Sequence, residues 1–367
     1  MDARFTSVAL LFSAFLGCVA VGAAPSPWLE PRCQLLPSSK LAPMVVLADG
    51  SVMMIEGNAT VVSQDDGKTW SQPRKAFDGP GPGIPSQAAV LARTRSGVIV
   101  WVYMDLSTYK WGWDDAKNRA ADDVRLDVWA MRSLDEGKTW TDRQQLLAGY
   151  CGALITMIQA SSGELVVPVQ DLMRNPDRHV TRPYVSADDG KSWRAGNIID
   201  LGGHGHHDGA MEATLAELSD GRLYMLLRTN LDRFWEAYSE DHGRYWRILR
   251  PSSIDASSAP GYLIRLASGR LALAWNRLGP EGRQDVVRRG GGPLSEVQAS
   301  WHRAELSLAF SEDDGKTWTR PVVIARRPRG SLSYPFILER RPGELWVCTF
   351  FGTKLGVSLQ EVDFVQK

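Results

Sequence analysis

Charge of one sign is never in excess in this chain. Its 367 residues carry 42 Lys plus Arg against 42 Asp plus Glu. That balance excludes the basic stripe of a nucleic-acid binder and the polybasic patch of a membrane-surface protein. Long apolar runs are missing too, except at the N-terminus, where Val8–Ala24 holds only small or apolar residues after Asp2 and Arg4. The run closes on VGAAP (Val21–Pro25), so residues 1–24 read as a signal peptide cut near Ala24. Residues 25–367 are then secreted or periplasmic, with no span left to cross a membrane. Two other readings of the run are a short membrane anchor, at about 17 residues the lower limit for a span, and lipoprotein processing at Cys18, with Phe15 where Leu is usual. Cysteine is scarce: Cys33, Cys151 and Cys348 remain after cleavage. An odd number excludes a fully paired framework. Cys33 and Cys348 pair only if the chain ends meet, and the simpler expectation is three buried thiols. Strong helical periodicity is absent as well.

What is abundant is repetition. SQDDGKTW (Ser63–Trp70) returns as SLDEGKTW (Ser133–Trp140), SADDGKSW (Ser186–Trp193), SEDHGRYW (Ser239–Trp246) and SEDDGKTW (Ser311–Trp318). Six turns built on Gly, such as ADGSV (Ala48–Val52) and SDGRL (Ser219–Leu223), lie among short apolar runs. Such runs around an x-Gly turn read as β-hairpins buried on both faces. The unit is therefore strand, turn, strand, loop, strand, octapeptide, strand. Six hairpins and five octapeptides specify an all-β chain, a six-bladed β-propeller of four-stranded antiparallel blades. The sixth blade has no octapeptide, and its last strand is expected from the other end of the chain. In S-x-D-x-G-x-T-W the Asp accepts backbone N–H bonds, the Gly supplies a positive φ, and the Trp fills the gap between blades. Asp65, Asp135, Asp188, Asp241 and Asp313 are thus read as structural, neither catalytic nor calcium-binding.

The octapeptides resemble the Asp-box of the sialidase superfamily, over about Pro43–Phe364. The resemblance implies the propeller and an exo-acting glycoside hydrolase for an acidic sugar, sialic-acid-like or uronic-acid-like, at the end of a glycan. Sialic acid bears a carboxylate on its anomeric carbon. Such a site needs arginines and a Tyr nucleophile whose proton a Glu removes. The stretch MEATLAELSDGRLYMLLRTN (Met211–Asn230) is similar to the family segment carrying that Glu and one Arg, here Glu212 and Arg228. Arg303, in HRAELSLAF (His302–Phe310), resembles a further arginine, with Arg265, Arg277 and Arg288 as competitors. Tyr334 opens an inner strand, as the nucleophile does in the family. The proton relay requires Tyr334 and Glu212 to be in hydrogen-bond contact or one water apart.

Two groups that the family pattern supplies are missing. In place of an Arg shortly before a Pro, SSKLAPMVV (Ser38–Val46) offers Lys40 and Leu41. In place of an acidic Asp, EGNATVV (Glu56–Val62) offers Asn58. The chain adds GGHGHHDGAME (Gly202–Glu212). One of His206, His207 or Asp208 is expected to supply the missing acid or base, with His206 also facing substrate. A metal on His204 and His206, joined by His179, is the alternative reading of this loop; no metal and no cofactor is the expectation. The insertion Met104–Asp123 brings Tyr109, Trp111 and Trp113, with Trp113 read as sugar-binding. Gln159 and Gln170 are candidate hydroxyl partners, Gln170 being preferred. The Gly-rich stretch Arg277–Ser300 is either a mobile lid or a solvated loop. Two other functions suit the same fold: a polysaccharide lyase or other glycosidase using a His as acid or base, and a non-catalytic glycan-binding propeller. The expected partner is a glycan or oligosaccharide, and the oligomeric state is left open.

Overall fold

A computed structural model describes residues 26–38, 40–41, 43–79, 88–283 and 286–365. The leader read at 1–24, with Cys18, lies outside the described residues. Six antiparallel sheets follow one another along the chain. Blade 1 holds Met44–Val46, Val52–Glu56, Ala59–Ser63 and Arg74–Lys75, paired in that order. Blade 2 holds Ala89–Arg93, Ile99–Met104, Val128–Ser133 and Thr141–Leu147. In blade 3 the innermost strand is split into Cys151–Leu154 and Ile158–Gln159, followed by Leu165–Met173, Arg178–Ser186 and Arg194–Ala195. Blade 4 runs through Met211–Glu217, Leu223–Arg228, Arg233–Ser239 and Arg247–Asp255. Blade 5 holds Tyr262–Arg265, Leu271–Trp275, Glu305–Ser311 and Val322–Arg326, and Trp28–Leu29 adds a fifth strand at its edge. Blade 6 holds Leu332–Arg341, Glu344–Gly352 and Leu355–Gln360. Its fourth strand is Gln34–Leu35, from the opposite end of the chain. The second strands are mostly apolar because both their faces meet a neighbouring blade. Ile99–Met104, Leu223–Arg228 and Leu271–Trp275 are buried at every residue.

The octapeptides are the staples that their chemistry suggests. Asp65 accepts from the Thr69 N–H at 2.8 Å and from its hydroxyl at 2.6 Å, while the Gly67 N–H donates to Ser63 Oγ at 2.8 Å. The same N–H bonds recur at Asp135, Asp188, Asp241 and Asp313. Each turn presses on the preceding blade. At Gly137, φ is +79° and a Cβ would sit 2.6 Å from Met53 Sδ of blade 1, so no other residue fits without displacement. Trp140 packs in the seam between blades 1 and 2 with Met53 and Trp101. Trp193, Trp246 and Trp318 fill the next three seams. Trp70 fills the seam between blades 6 and 1.

The seam between blades 5 and 6 has no octapeptide Trp. Cys33, Leu332, Ile337, Leu345 and Phe364 fill it instead. Arg32 lies 4.1 Å from the Phe364 ring centroid and donates to the Asp363 carbonyl at 2.6 Å, so both chain ends lock this seam. All three described thiols are free and buried. Cys33 faces the seam with blade 5, whereas Cys348 faces the seam with blade 1. The chain ends do meet, but these thiols sit on opposite faces of blade 6 and do not bond. Burial pushes the Cys33 and Cys348 thiols up to about 12, which keeps them protonated and inert. If the staples carry ring cohesion, Trp246→Ala, at a site only 5% exposed, will cost about 3–5 kcal/mol. Denaturant unfolding measures this, and a loss below about 1 kcal/mol would contradict the staple role.

Candidate active site

Two innermost strands enter the central cavity through strained residues. Glu212 has φ +38° and Tyr334 has φ +57°, both in the left-handed region that non-glycine residues avoid. At Glu212 the pairing register shifts, Met211 pairing with Arg228 and Thr214 next with Leu226, and such an irregularity re-aims a side chain. Through Tyr334 the register holds, with Ser333 paired to Phe351 and Pro335 to Thr349, and both side chains line the cavity. Tyr334 Oη donates to Glu212 Oε1 at 2.6 Å, within the contact that a proton relay requires. Arg228 ends the strand beside Glu212, as the hairpin predicts. Its Nη1 donates to Glu212 Oε2 at 2.6 Å and to Tyr334 Oη at 3.4 Å. Gln170 Oε1 accepts the Glu212 N–H at 3.1 Å and so holds the strained residue in place.

Arg303 completes the cluster from blade 5. Its guanidinium carbon lies 4.7 Å from the Trp301 ring centroid, 5.7 Å from Phe351 and 5.8 Å from Tyr334. Nη2 donates to the Ser258 carbonyl at 2.7 Å, and Nε is buried without a partner. Burial first, then the Arg228 charge, bring its pKa down to about 10, so it is still a cation at neutral pH. Burial also disfavours the Arg228 charge, but Glu212 outweighs it and the pKa ends above the ordinary value. The Tyr334 phenol is raised by burial and then by Glu212, so it holds its proton at rest. One carboxylate thus faces two guanidiniums, leaving one uncompensated positive charge and an orphaned N–H donor. That arrangement suits an anionic ligand with a planar carboxylate.

The cavity measures about 390 Å³. His206, His207, Gln170 and His179 line it, with Tyr109, Trp111 and Tyr150 towards one side. His207 is neutral, brought down to about 3 by burial and then by Arg228; burial brings His179 to about 4 and lowers His206. The unfolded chain takes up protons near pH 6.5 that the folded chain refuses. Stability is therefore full above pH 6.5 and falls as pH drops towards 4 and 3. The melting temperature should decline across that window, and His207→Gln should flatten part of the decline. An unchanged slope in that variant would contradict the assignment.

Other sequence expectations divide. Arg265 pairs with Asp314, Arg277 with Asp255 and Arg288 with Asp232, so none of these competitors lines the cavity and Arg303 does. Asp208 is turned away. It accepts from the Gly209 N–H, Ser295 Oγ and the Glu296 N–H at 2.8–3.1 Å, as a clasp between loops rather than an acid in the site. Trp113 stands behind Trp111, 6.1 Å away in a stack, with its ring 5.3 Å from His206. Trp111, not Trp113, lines the cavity. Gln159 bonds the Arg95 N–H in a different part of the ring. Lys40 is consumed by Glu56, and Asn58 donates to the Phe77 and Gly79 carbonyls, so neither replaces the missing Arg or Asp. Among the described residues, no three His, Cys, Asp or Glu side chains converge at metal-ligand spacing. The stretch read as a lid or solvated loop is fastened: Pro293 and Leu294 carbonyls accept the His206 and His207 N–H groups at 3.0 and 2.9 Å. Sequence reasoning missed Trp301, Phe351, Ser258 and Asn230. A larger groove, about 620 Å³, lies along Arg194–Asn197, but its carboxylate, Asp188, is spent on Ser192.

Comparison with known proteins agrees with this architecture. A protein of unknown function from Dyadobacter fermentans superposes with a TM-score of 0.60 at 16% identity, covering 90% of this chain and 100% of that one. A Hadza microbial sialidase gives 0.59 at 16% identity, covering 89% and 66%. An α-L-arabinanase from Penicillium chrysogenum, complexed with arabinobiose, gives 0.54 at 13%, covering 93% and 100%. At these identities the likeness is one of fold, a propeller of the kind that glycoside hydrolases use. No match was found among curated protein sequences. The family model for the BNR repeat-like domain matches residues 59–347. Octapeptides, six blades and that match together make the chain a member of the BNR repeat-like domain family.

Proposed function

We propose that this protein is an exo-acting glycoside hydrolase for a glycan ending in an acidic sugar, sialic-acid-like or uronic-acid-like. The leader read in its sequence supports an activity outside the cytoplasm. The reading is carried by the 2.6 Å contact between Tyr334 and Glu212 inside a cavity with one uncompensated positive charge. The sugar carboxylate binds Arg228 and Arg303. Tyr334 Oη attacks the anomeric carbon as its proton passes to Glu212, and the bond to the leaving oxygen breaks. The leaving oxygen needs a proton, and His207 is the group placed to supply it. Its cation is suppressed by burial and by two guanidiniums. A bound carboxylate offsets their charge and so favours the imidazolium when substrate is present. Water then attacks the anomeric carbon and gives its proton to His207, while the tyrosyl–sugar bond breaks and Glu212 returns its proton to Tyr334.

The neutral resting state of His207 favours a second reading, a polysaccharide lyase in which its imidazole abstracts a proton beside a uronate held by the arginines. One panel separates the two. The protein is incubated with sialosides and with uronate-terminated oligosaccharides. Release of a saturated acidic monosaccharide supports the hydrolase. An unsaturated uronate supports the lyase. Binding of the panel without turnover would reject both.

A further inference from the structure

A chain of buried small polar residues runs away from the two arginines and ends on the segment that straps the histidine loop. Ser258 Oγ accepts from Arg228 Nε at 3.1 Å and from Nη2 at 2.9 Å, and its backbone carbonyl accepts from Arg303 Nη2 at 2.7 Å. One residue therefore holds both guanidiniums. The Ser258 hydroxyl donates onward to Asn230 Oδ1 at 2.6 Å. Asn230 Nδ2 donates to Ser295 Oγ at 2.8 Å and to the His207 carbonyl at 2.6 Å. Ser295 Oγ in turn donates to Asp208 Oδ2 at 3.1 Å, which also accepts the Glu296 N–H. Ser258 and Ser295 are 1% exposed and Asn230 is 5% exposed. Ser258, Asn230 and Ser295 stand behind the residues that line the cavity, and they come from three separate connections of the ring.

We infer that Ser258 and Asn230 are positioning residues, which set the two guanidiniums and His207 in one fixed frame and make that frame depend on the seating of the 293–296 strap. A guanidinium has five N–H donors in a rigid fork. Arg228 spends Nη1 on Glu212 and Tyr334 and lies 5.7 Å from the Trp301 ring centroid, and Ser258 Oγ is the acceptor for its Nε and Nη2. Without that acceptor two buried donors lose their partner, and Arg303 loses its fixed neighbour. Asn230 couples the same fork to the backbone of His207, so carboxylate capture and the proton donor are aligned by one side chain. Asp208, beside the histidines in sequence, serves this frame from its far end.

The inference rests on the reading of Arg228 and Arg303 as carboxylate ligands, but its first test does not. Side-chain ¹⁵N spectra of the wild-type protein report how fast each arginine Nε–H exchanges with water. Arg228 Nε–H should be protected at least about 10³-fold relative to an exposed arginine such as Arg244. Exchange as fast as that of Arg244 overturns the inference. In Ser258→Ala and Asn230→Leu the protection should fall by tenfold or more. A folded variant with undiminished protection also overturns it. The second test titrates N-acetylneuraminate, glucuronate and galactose into each variant. Affinity for whichever acid the wild type binds should drop about ten- to a hundredfold, with galactose unaffected. Equal losses for acid and neutral sugar indicate general loosening and count against the inference. If the wild type binds neither acid, the proposed substrate class fails, while the exchange result still decides the role of Ser258.

Discussion

Tyr334→Phe will abolish turnover while leaving the ring intact. The substitution removes one hydroxyl, which donates to Glu212 at 2.6 Å and lies at the centre of the cavity. If that oxygen is the nucleophile, kcat/KM for the best acidic substrate should fall by at least roughly 10³-fold. The lost hydrogen bond is worth only about 1 kcal/mol, and Glu212 keeps Arg228 as partner. The melting temperature should therefore move by about 1–2 °C. Glu212→Gln makes a sharp contrast. It removes the relay base and also the counter-ion of Arg228, whose side chain is 3% exposed. A buried charge stripped of its partner costs about 3–5 kcal/mol, so this variant should lose both activity and stability. Substantial turnover in Tyr334→Phe would remove the phenol from the mechanism.

Arg303→Met will be more stable than the native protein and will bind acidic sugars worse. Arg303 is nearly fully buried and, among the described residues, has no carboxylate partner and leaves one N–H unmet. Its pKa is about 10 against an ordinary 12.5. The folded state therefore resists the charged form, and the penalty is fully present at any pH below about 10. That gap corresponds to about 3 kcal/mol. About 1 kcal/mol is returned because Met leaves the Ser258 carbonyl without its donor. The net expectation is a melting temperature higher by about 3 °C. Affinity for the acidic sugar should fall roughly 10²–10³-fold, as expected on removing one partner of a desolvated charge pair. A destabilised Arg303→Met with unchanged binding would place this guanidinium among structural residues. The opposite signs make the prediction hard to satisfy by accident: a residue that costs the fold and serves the ligand.

The fold was legible because its code is local. Each octapeptide contains the carboxylate, hydroxyl, glycine and indole that make its own turn and its own seam contact, so five copies read as five blades without knowledge of anything distant. Glu212, Arg228 and Tyr334 were legible for a related reason. Each opens or closes an inner strand, and a hairpin's register places 211 against 228. The positive φ of Glu212 and Tyr334 was not legible, since both are ordinary residue types for a strand. Asp208 was misread because adjacency to His207 does not fix direction. Gly209 at φ +100° turns the chain, and the carboxylate closes onto Ser295 from 87 residues away. Ser258 and Asn230 carried no sequence signal at all. Their meaning arises only where separate connections of the ring meet around a guanidinium.

The central claim is that the uncompensated charge between Arg228 and Arg303 holds a sugar carboxylate in front of Tyr334. The crystal structure of the protein soaked with N-acetylneuraminate or glucuronate tests it most directly. The account predicts the carboxylate within hydrogen-bond distance of both guanidiniums, and the anomeric carbon about 3–3.5 Å from Tyr334 Oη. A sugar bound elsewhere on the ring, or seated in the cavity with its carboxylate turned from both arginines, would contradict it.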